Sequence, residues 1–270
     1  MLSRQNSRIK YLRRLGSRRF REKEGKFLIE GVRFVEEALN SAWPVEMLVY
    51  CRRITETRRG EALLEKASFQ GVPLVEVDES LFGELAGTTT PQGALAVVKK
   101  GKVSLEDLQA GGEPALLVIV DGVQDPGNLG TIVRSAGAAG AGGVILLKGT
   151  ADIFNAKALR ATMGAIFYVP VVQDVTSVEA MTYLKQLGIK AVAGDPRGDK
   201  LIYDCDLTVP CALVLGSEAA GAGEPVLRMV AERVRIPMPG RAESLNVAVS
   251  SAVLLFEAVR QRCFKERGQA

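Results

Sequence analysis

Short, continuously apolar segments recurring through the C-terminal two-thirds of this chain constrain its fold more than any other feature. The clearest is residues 115–120 (ALLVIV), which run directly into Asp121. An apolar run without alternation suits a strand buried on both faces, as in a parallel sheet. Further strands are expected over 143–147, 167–172, 190–193, 212–215 and 234–236, with helices between them over 129–139, 156–163 and 178–187. Alternation at this spacing predicts βαβ crossovers and a parallel sheet covered by helices. A helix over 244–262 closes the chain. Its Leu245, Val249, Ala252, Phe256 and Val259 step by four and three, which predicts one buried stripe.

A smaller strand–helix series precedes this one. Residues 27–30, 45–50, 72–77 and 93–98 read as strands, with helices over 32–39 and near 56–67. The polar, lysine-bearing stretch 99–113 reads as a linker, with Leu105 and Leu108 able to form a short helix inside it. The expected organisation is therefore a small α/β domain over 1–98, a linker over 99–113, and a parallel-sheet α/β domain over 114–270. A length of 270 residues, 47% of them hydrophobic and 24% charged, provides a full core for both.

Several function classes drop out. No apolar run approaches the roughly 20 residues that span a bilayer. The N-terminus is basic and has no apolar signal stretch; a transit peptide can share that composition, but cytoplasm is the simpler reading. The four cysteines form no C-x-x-C pair and the chain has no histidine, so the usual zinc patterns lack ligands and no metal is expected. The thiols are expected free and mostly buried. Without histidine, any proton transfer must use another residue type. The net charge of +4 conceals a block: residues 1–26 hold ten Arg or Lys against two Glu. Arg4, Arg8, Lys10, Arg13, Arg14, Arg18 and Arg19 belong to it, and they suit a phosphate-contacting surface or a solvated terminal helix equally well.

Three segments at predicted strand ends could carry chemistry, since ligands of open α/β sheets bind beyond the carboxyl ends of strands. The first runs from Asp121 through Asn128 to Arg134 and Ser135. It contains a Pro-Gly turn, Asn128 in position to cap a helix, and a lone cation, Arg134, among small and apolar residues. The second is a strand ending Leu215-Gly216, then Ser217, Glu218 and Gly221 in a loop. The third is Ile236-Pro-Met238-Pro-Gly240, then Ser244-Leu245-Asn246-Val247-Ala248. Singly, each element has a plain structural role: Asn128 or Ser244 as a cap, Glu218 as a loop acid, Arg134 paired with Asp121 or Asp125.

Taken together in this order and spacing, the segments resemble the SpoU-type RNA ribose 2′-O-methyltransferases of the SPOUT superfamily. The resemblance covers roughly 115–262, including 157–167 (KALRATMGAIF). More loosely, 6–10, 27–31 and Thr90-Pro91-Gln92-Gly93 resemble the ribosomal-protein-like RNA-binding domain that many of these enzymes carry. The resemblance implies a C-terminal trefoil knot and a homodimer packed through the C-terminal domains, which the small residues Ala248 and Ser251 would accommodate. It also implies S-adenosylmethionine held at Gly194, Leu215, Gly216, Ile236, Met238, Leu245 and Ala248. Asn128, Arg134, Glu218, Ser244 and Asn246 would be the catalytic set. Arg134 has two available roles, proton acceptor or electrostatic stabiliser of the developing alkoxide, and guanidinium groups hold their proton tightly. The substrate implied is RNA, with 23S ribosomal RNA first. Transfer RNA, an antibiotic-resistance target and a non-catalytic assembly role are the alternatives. A nicotinamide or Rossmann-type enzyme is disfavoured, because no G-x-G-x-x-G follows an early strand.

Overall fold

The computed structural model describes residues 4–108 and 115–267. The chain divides into two compact units, Met1–Lys102 with Phe154–Phe167, and Val103–Ile153 with Tyr168–Ala270.

In the first unit, α1 (Ser7–Arg14) and α2 (Arg18–Glu24) precede β1 (Lys26–Glu30), α3 (Val32–Asn40), β2 (Val45–Tyr50), α4 (Arg58–Phe69), β3 (Leu74–Glu76), α5 (Glu79–Leu85) and β4 (Ala94–Lys99). The sheet order is β1-β4-β2-β3; β4 runs antiparallel to both its neighbours and β2 is parallel to β3. The basic N-terminus is docked. Asn6 and Ser17 cap α1 and α2, Gly25 ends α2 with a positive φ, and Ile9, Leu12 and Leu15 are fully buried in the core. Gly31 at the start of α3 offers no side chain, so Gln92 Oε1 accepts from Val32 N across 60 residues at 3.0 Å.

The same unit contains α7 (Ala156–Thr162), which the sequence assigned to the 114–270 domain. The cause is aromatic. The Phe154 ring lies 4.9 Å from Phe27, the Phe167 ring lies 5.5 Å from Phe34, and Trp43 stands edge-on to Phe167. Residues 165–167 form a 3₁₀ turn, so the strand expected over 167–172 starts later.

The second unit is a seven-stranded, wholly parallel sheet in the order β7-β6-β5-β10-β8-β11-β9. Its strands are β5 (Leu116–Val120), β6 (Gly143–Leu147), β7 (Val171–Val175), β8 (Lys190–Gly194), β9 (Lys200–Leu201), β10 (Cys211–Leu215) and β11 (Glu232–Arg235). The helices are α6 (Pro126–Ala138), α8 (Ser177–Gln186), α9 (Glu224–Leu227) and α10 (Val247–Arg267). β5, β6 and β10 are buried along their whole length, as their unbroken apolar sequence demands. The expected linker is shorter than 99–113. Lys99 ends β4, and Leu108 is buried in the second core beside Val103 and Leu105, while 109–114 lie outside the described residues.

One sequence expectation is reversed. On α10, Val249 and Phe256 are each 49% exposed, and Leu245 just before the helix is also exposed. The buried face is Ala248, Ser251, Leu255 and Ala258, also stepping by three and four. Ala248 and Ser251 are thus covered within the chain itself, where α10 packs on α6. Three of the cysteines are buried and all four are free thiols. Among the described residues, no helix is long and apolar enough to cross a membrane.

Candidate active site

A cavity of about 620 Å³ opens at the carboxyl ends of β8, β10 and β11 in the second unit. Its walls come from 194–197, 215–221, 236–238 and 243–247, with Leu254 of α10 behind. The 215–221 wall is a tight loop. Ser217 N donates to Gly221 O at 2.9 Å and Gly221 N returns to Ser217 O at 3.0 Å. A Cβ on Gly216 would lie 1.8 Å from Ala222 N, so only glycine permits this closure. Asp121, at the end of β5, fastens the far side of the loop, accepting from Gly223 N at 2.7 Å. A second stretch of the lining is different in kind. Residues 237–245, of which Met238, Glu243, Ser244 and Leu245 line the cavity, lie in no helix or strand and make no backbone–backbone hydrogen bond among the described residues.

A chain of side chains crosses the cavity mouth. Asn246 Nδ2 donates to Asn128 Oδ1 at 3.0 Å, and Asn128 Nδ2 donates to Glu218 Oε1 at 2.9 Å. The other Glu218 oxygen accepts from Gln124 N at 3.3 Å. Burial alone would raise the Glu218 carboxyl. The donors Asn128 and the nearby backbone N–H groups outweigh it and hold the carboxyl below its usual value, so it is anionic at neutral pH. The caps are redistributed relative to the sequence reading. Asp125, not Asn128, caps α6 through Asn128 N at 2.9 Å, with Pro126 at the first helical position. Asn246, not Ser244, caps α10, its Oδ1 accepting from Ala248 N at 2.9 Å. Asn128 is thereby released for the side-chain chain, and the exposed Ser244 hydroxyl has no hydrogen-bond partner among the described residues. Arg134 is exposed on α6 and forms no ion pair with Asp121 or Asp125. It stands six residues, about 9 Å of helix rise, from Asn128.

This geometry agrees with what the chain matches. The model of the SpoU rRNA methylase family matches residues 115–256, and that of an MRM3-like substrate binding domain matches residues 6–96. The chain belongs to the SpoU rRNA methylase family. Its reaction class is RNA ribose 2′-O-methylation. The 23S rRNA (guanosine(2553)-2′-O)-methyltransferase RlmP of Bacillus subtilis is 34% identical over 254 residues, covering 94% of this chain and 96% of the relative. The 23S rRNA (uridine(2479)-2′-O)-methyltransferase of Streptomyces viridochromogenes is 33% identical, covering 92% and 87%. The solved structure of the SpoU methyltransferase AviRb from Streptomyces viridochromogenes superposes with a TM-score of 0.87 at 32% identity, covering 96% of this chain and 99% of that one.

The cavity suits the methylase cofactor. Its volume falls in the range of small-molecule sites, roughly 300–1,000 Å³. The backbone groups of Met238, Glu243, Ser244 and Leu245 on its wall are unpaired among the described residues and would suit an adenosyl group, and Leu215, Ile236, Met238 and Leu245 would give it apolar contact. Of the residues expected to hold S-adenosylmethionine, Gly194, Leu215, Gly216, Ile236, Met238 and Leu245 line this cavity. Ala248 does not; it is buried one residue behind the wall.

The catalytic set is gathered in part. Glu218, Ser244 and Asn246 line the cavity, Asn128 joins them by hydrogen bonds, and Arg134 touches none of them. The N-terminal cations divide. Arg4 and Arg13 both pair with Glu84, Arg18 pairs with Glu22 at 2.7 Å, and Arg14 lies 4.0 Å over the Phe20 ring. Arg8, Lys10 and Arg19 are exposed with no ion pair among the described residues. Sequence reasoning gave no site role to Gln124, Asp195, Arg197 or Glu243, and gave Asp121 only as a pairing partner of Arg134. The Gly194-Asp195-Pro196-Arg197-Gly198 run, a turn signal just after a predicted strand, could have pointed to two of them.

Proposed function

We propose that the chain transfers the methyl group of S-adenosylmethionine to a ribose 2′-hydroxyl of 23S ribosomal RNA, acting in the cytoplasm as a homodimer. The observation that carries this reading is the Asn246–Asn128–Glu218 chain of hydrogen bonds at the mouth of a cavity with an open backbone wall. The relatives compared act on 23S rRNA at a guanosine and at a uridine, so ribosomal RNA carries over as a class and no single nucleotide does.

The bound cofactor supplies an electrophilic methyl on a sulfonium. The protein's task is to align the 2′-oxygen with it. Glu218, fixed as an anion, orients the Asn128 amide, and Asn128 with Asn246 and the unpartnered Ser244 hydroxyl positions the ribose. Arg134 holds a phosphate and stabilises the alkoxide as it forms. A guanidinium is a fixed charge in water, which suits that role better than proton acceptance. The proton leaves to water at an exposed site.

Residues 1–98 serve as the RNA substrate domain, with Arg8, Lys10 and Arg19 as the readiest phosphate contacts. Residues 114–270 supply the methylase site, with dimerisation through the outward apolar side of α10. Support for the dimer is the exposure of Val249, Phe256 and Phe264 along that helix. Support for a knotted C-terminal path is that 243–247 and Leu254 close the same cavity as 194–197.

The test is Arg134→Ala. Methyl transfer to RNA should fall by about 10²–10³-fold, as when an electrostatic transition-state contact is lost. Affinity for S-adenosylhomocysteine should stay near the parent value. Near-normal turnover would remove Arg134 from the mechanism.

A further inference from the structure

The cavity carries an electrostatic bias that the catalytic roles leave unexplained. Three carboxylates line it, Asp195, Glu218 and Glu243, against the single guanidinium of Arg197. Asp195 is only 6% exposed and is neutralised locally. Its oxygens accept from Arg197 N at 2.9 Å and Arg197 Nε at 3.2 Å, and Arg233 approaches at 3.5 Å. Arg197 is thereby committed to Asp195. Glu218 is held by uncharged donors, so its charge is solvated without being cancelled. Glu243 has no hydrogen bond or ion pair among the described residues, and Arg241, two positions earlier, does not pair with it. It stands next to Ser244 on the wall whose backbone groups are unpaired.

We propose that Glu243 is a specificity-determining residue that biases the cavity toward a cationic cofactor and against the neutral product left after transfer. The proposal rests on the cofactor reading above. S-adenosylmethionine carries a sulfonium that S-adenosylhomocysteine lacks, while the adenosyl and amino-acid parts are common to both. An uncompensated carboxylate at the wall therefore acts on the difference between them. Across a water-filled cavity of this size, one unit charge changes relative affinity by about two- to fivefold. Such a bias favours exchange of product for fresh cofactor.

The experiment is titration calorimetry on the full chain with S-adenosylmethionine, S-adenosylhomocysteine and sinefungin, a cationic amine analogue. Glu243→Gln should weaken both cationic ligands by two- to fivefold and leave S-adenosylhomocysteine unchanged. Glu243→Lys should widen the shift, and added salt should shrink it. Equal weakening of all three ligands would assign Glu243 a shape role and overturn the proposal, and so would unchanged affinity for the cationic pair. Failure of the parent chain to bind any of the three would instead remove the cofactor reading itself.

Discussion

Replacing Gly216 by alanine is the sharpest steric test of the site. A Cβ there would lie 1.8 Å from Ala222 N, 1.9 Å from Gly221 C and 2.5 Å from Gly221 O, all backbone atoms that no rotamer change can move. Ordinary contact needs about 3.5 Å, so the loop must retreat by roughly 1.5 Å. That retreat opens the paired Ser217–Gly221 hydrogen bonds, now 2.9 and 3.0 Å. Each is worth about 1 kcal/mol, and with residual strain the loss should reach about 2–4 kcal/mol. Glu218 is two residues further on, and a displacement near 1 Å at a positioning group costs about 100-fold in rate. Gly221→Ala is the control. Gly221 has φ +72° but open space around it, so only the left-handed backbone penalty of about 1–2 kcal/mol applies. Urea unfolding and labelled-methyl transfer to ribosomal RNA should rank the variants parent, Gly221→Ala, Gly216→Ala. A Gly216→Ala protein within twofold of the parent in activity, and as stable, would refute the argument that this closure sets the site.

Two further predictions concern the second unit. Lys190 at 2.6 Å, joined by Lys200 at 3.2 Å, holds the Glu232 carboxyl down to about 2 against the opposing effect of burial. The folded value lies below the unfolded one, so the stabilisation is present above about pH 4.5 and is lost as pH falls towards 2. Glu232→Gln should therefore cost at most about 3 kcal/mol at pH 7 and progressively less in acid; a pH-independent difference in urea unfolding would contradict the assignment. For the proposed homodimer, Phe256→Glu should give a monomer in sedimentation while leaving S-adenosylhomocysteine binding in place, and an unchanged dimeric mass at micromolar concentration would send the interface elsewhere.

How much of this was legible in the sequence depended on whether a residue's role was set locally. The strands of the parallel sheet were readable because residues 116–120, 143–147 and 211–215 are buried end to end, so nothing in their sequence needs to alternate. The site motifs were readable because Gly216, Glu218 and Asn246 lie within a few residues of a strand end or helix start. The direction of α10 was not readable. Apolar side chains occupy 245-249-252-256-259, apolar or small ones occupy 248-251-255-258, and helical periodicity fits either set. Only packing within the unit, chiefly on α6 and also on β10, selects the second set. Asp195 and Glu243 were invisible as site residues because 48 positions separate them and only the fold brings both to one cavity.

The segment Phe154–Phe167 shows why a boundary drawn on sequence misjudges this chain. It lies inside the SpoU match and between two strands of the parallel sheet, so order along the chain assigns it to the methylase domain. Its burial assigns it elsewhere. Phe154 and Phe167 are 6% and 7% exposed, and their ring partners Phe27, Phe34 and Trp43 all come from the first 43 residues. Gly164 adds a steric reason, because a Cβ there would lie 3.0 Å from Glu37 Cγ on α3. Cutting the chain at the polar stretch after β4 would therefore uncover two phenylalanines, each worth about 1.5–3 kcal/mol of burial. A methylase fragment made that way would carry an apolar patch that the intact chain hides. Loss of RNA binding in such a fragment would mix a missing substrate surface with a damaged fold. Point substitutions at Arg8, Lys10 and Arg19 avoid that confusion, since these side chains are exposed and their removal leaves the aromatic cluster covered.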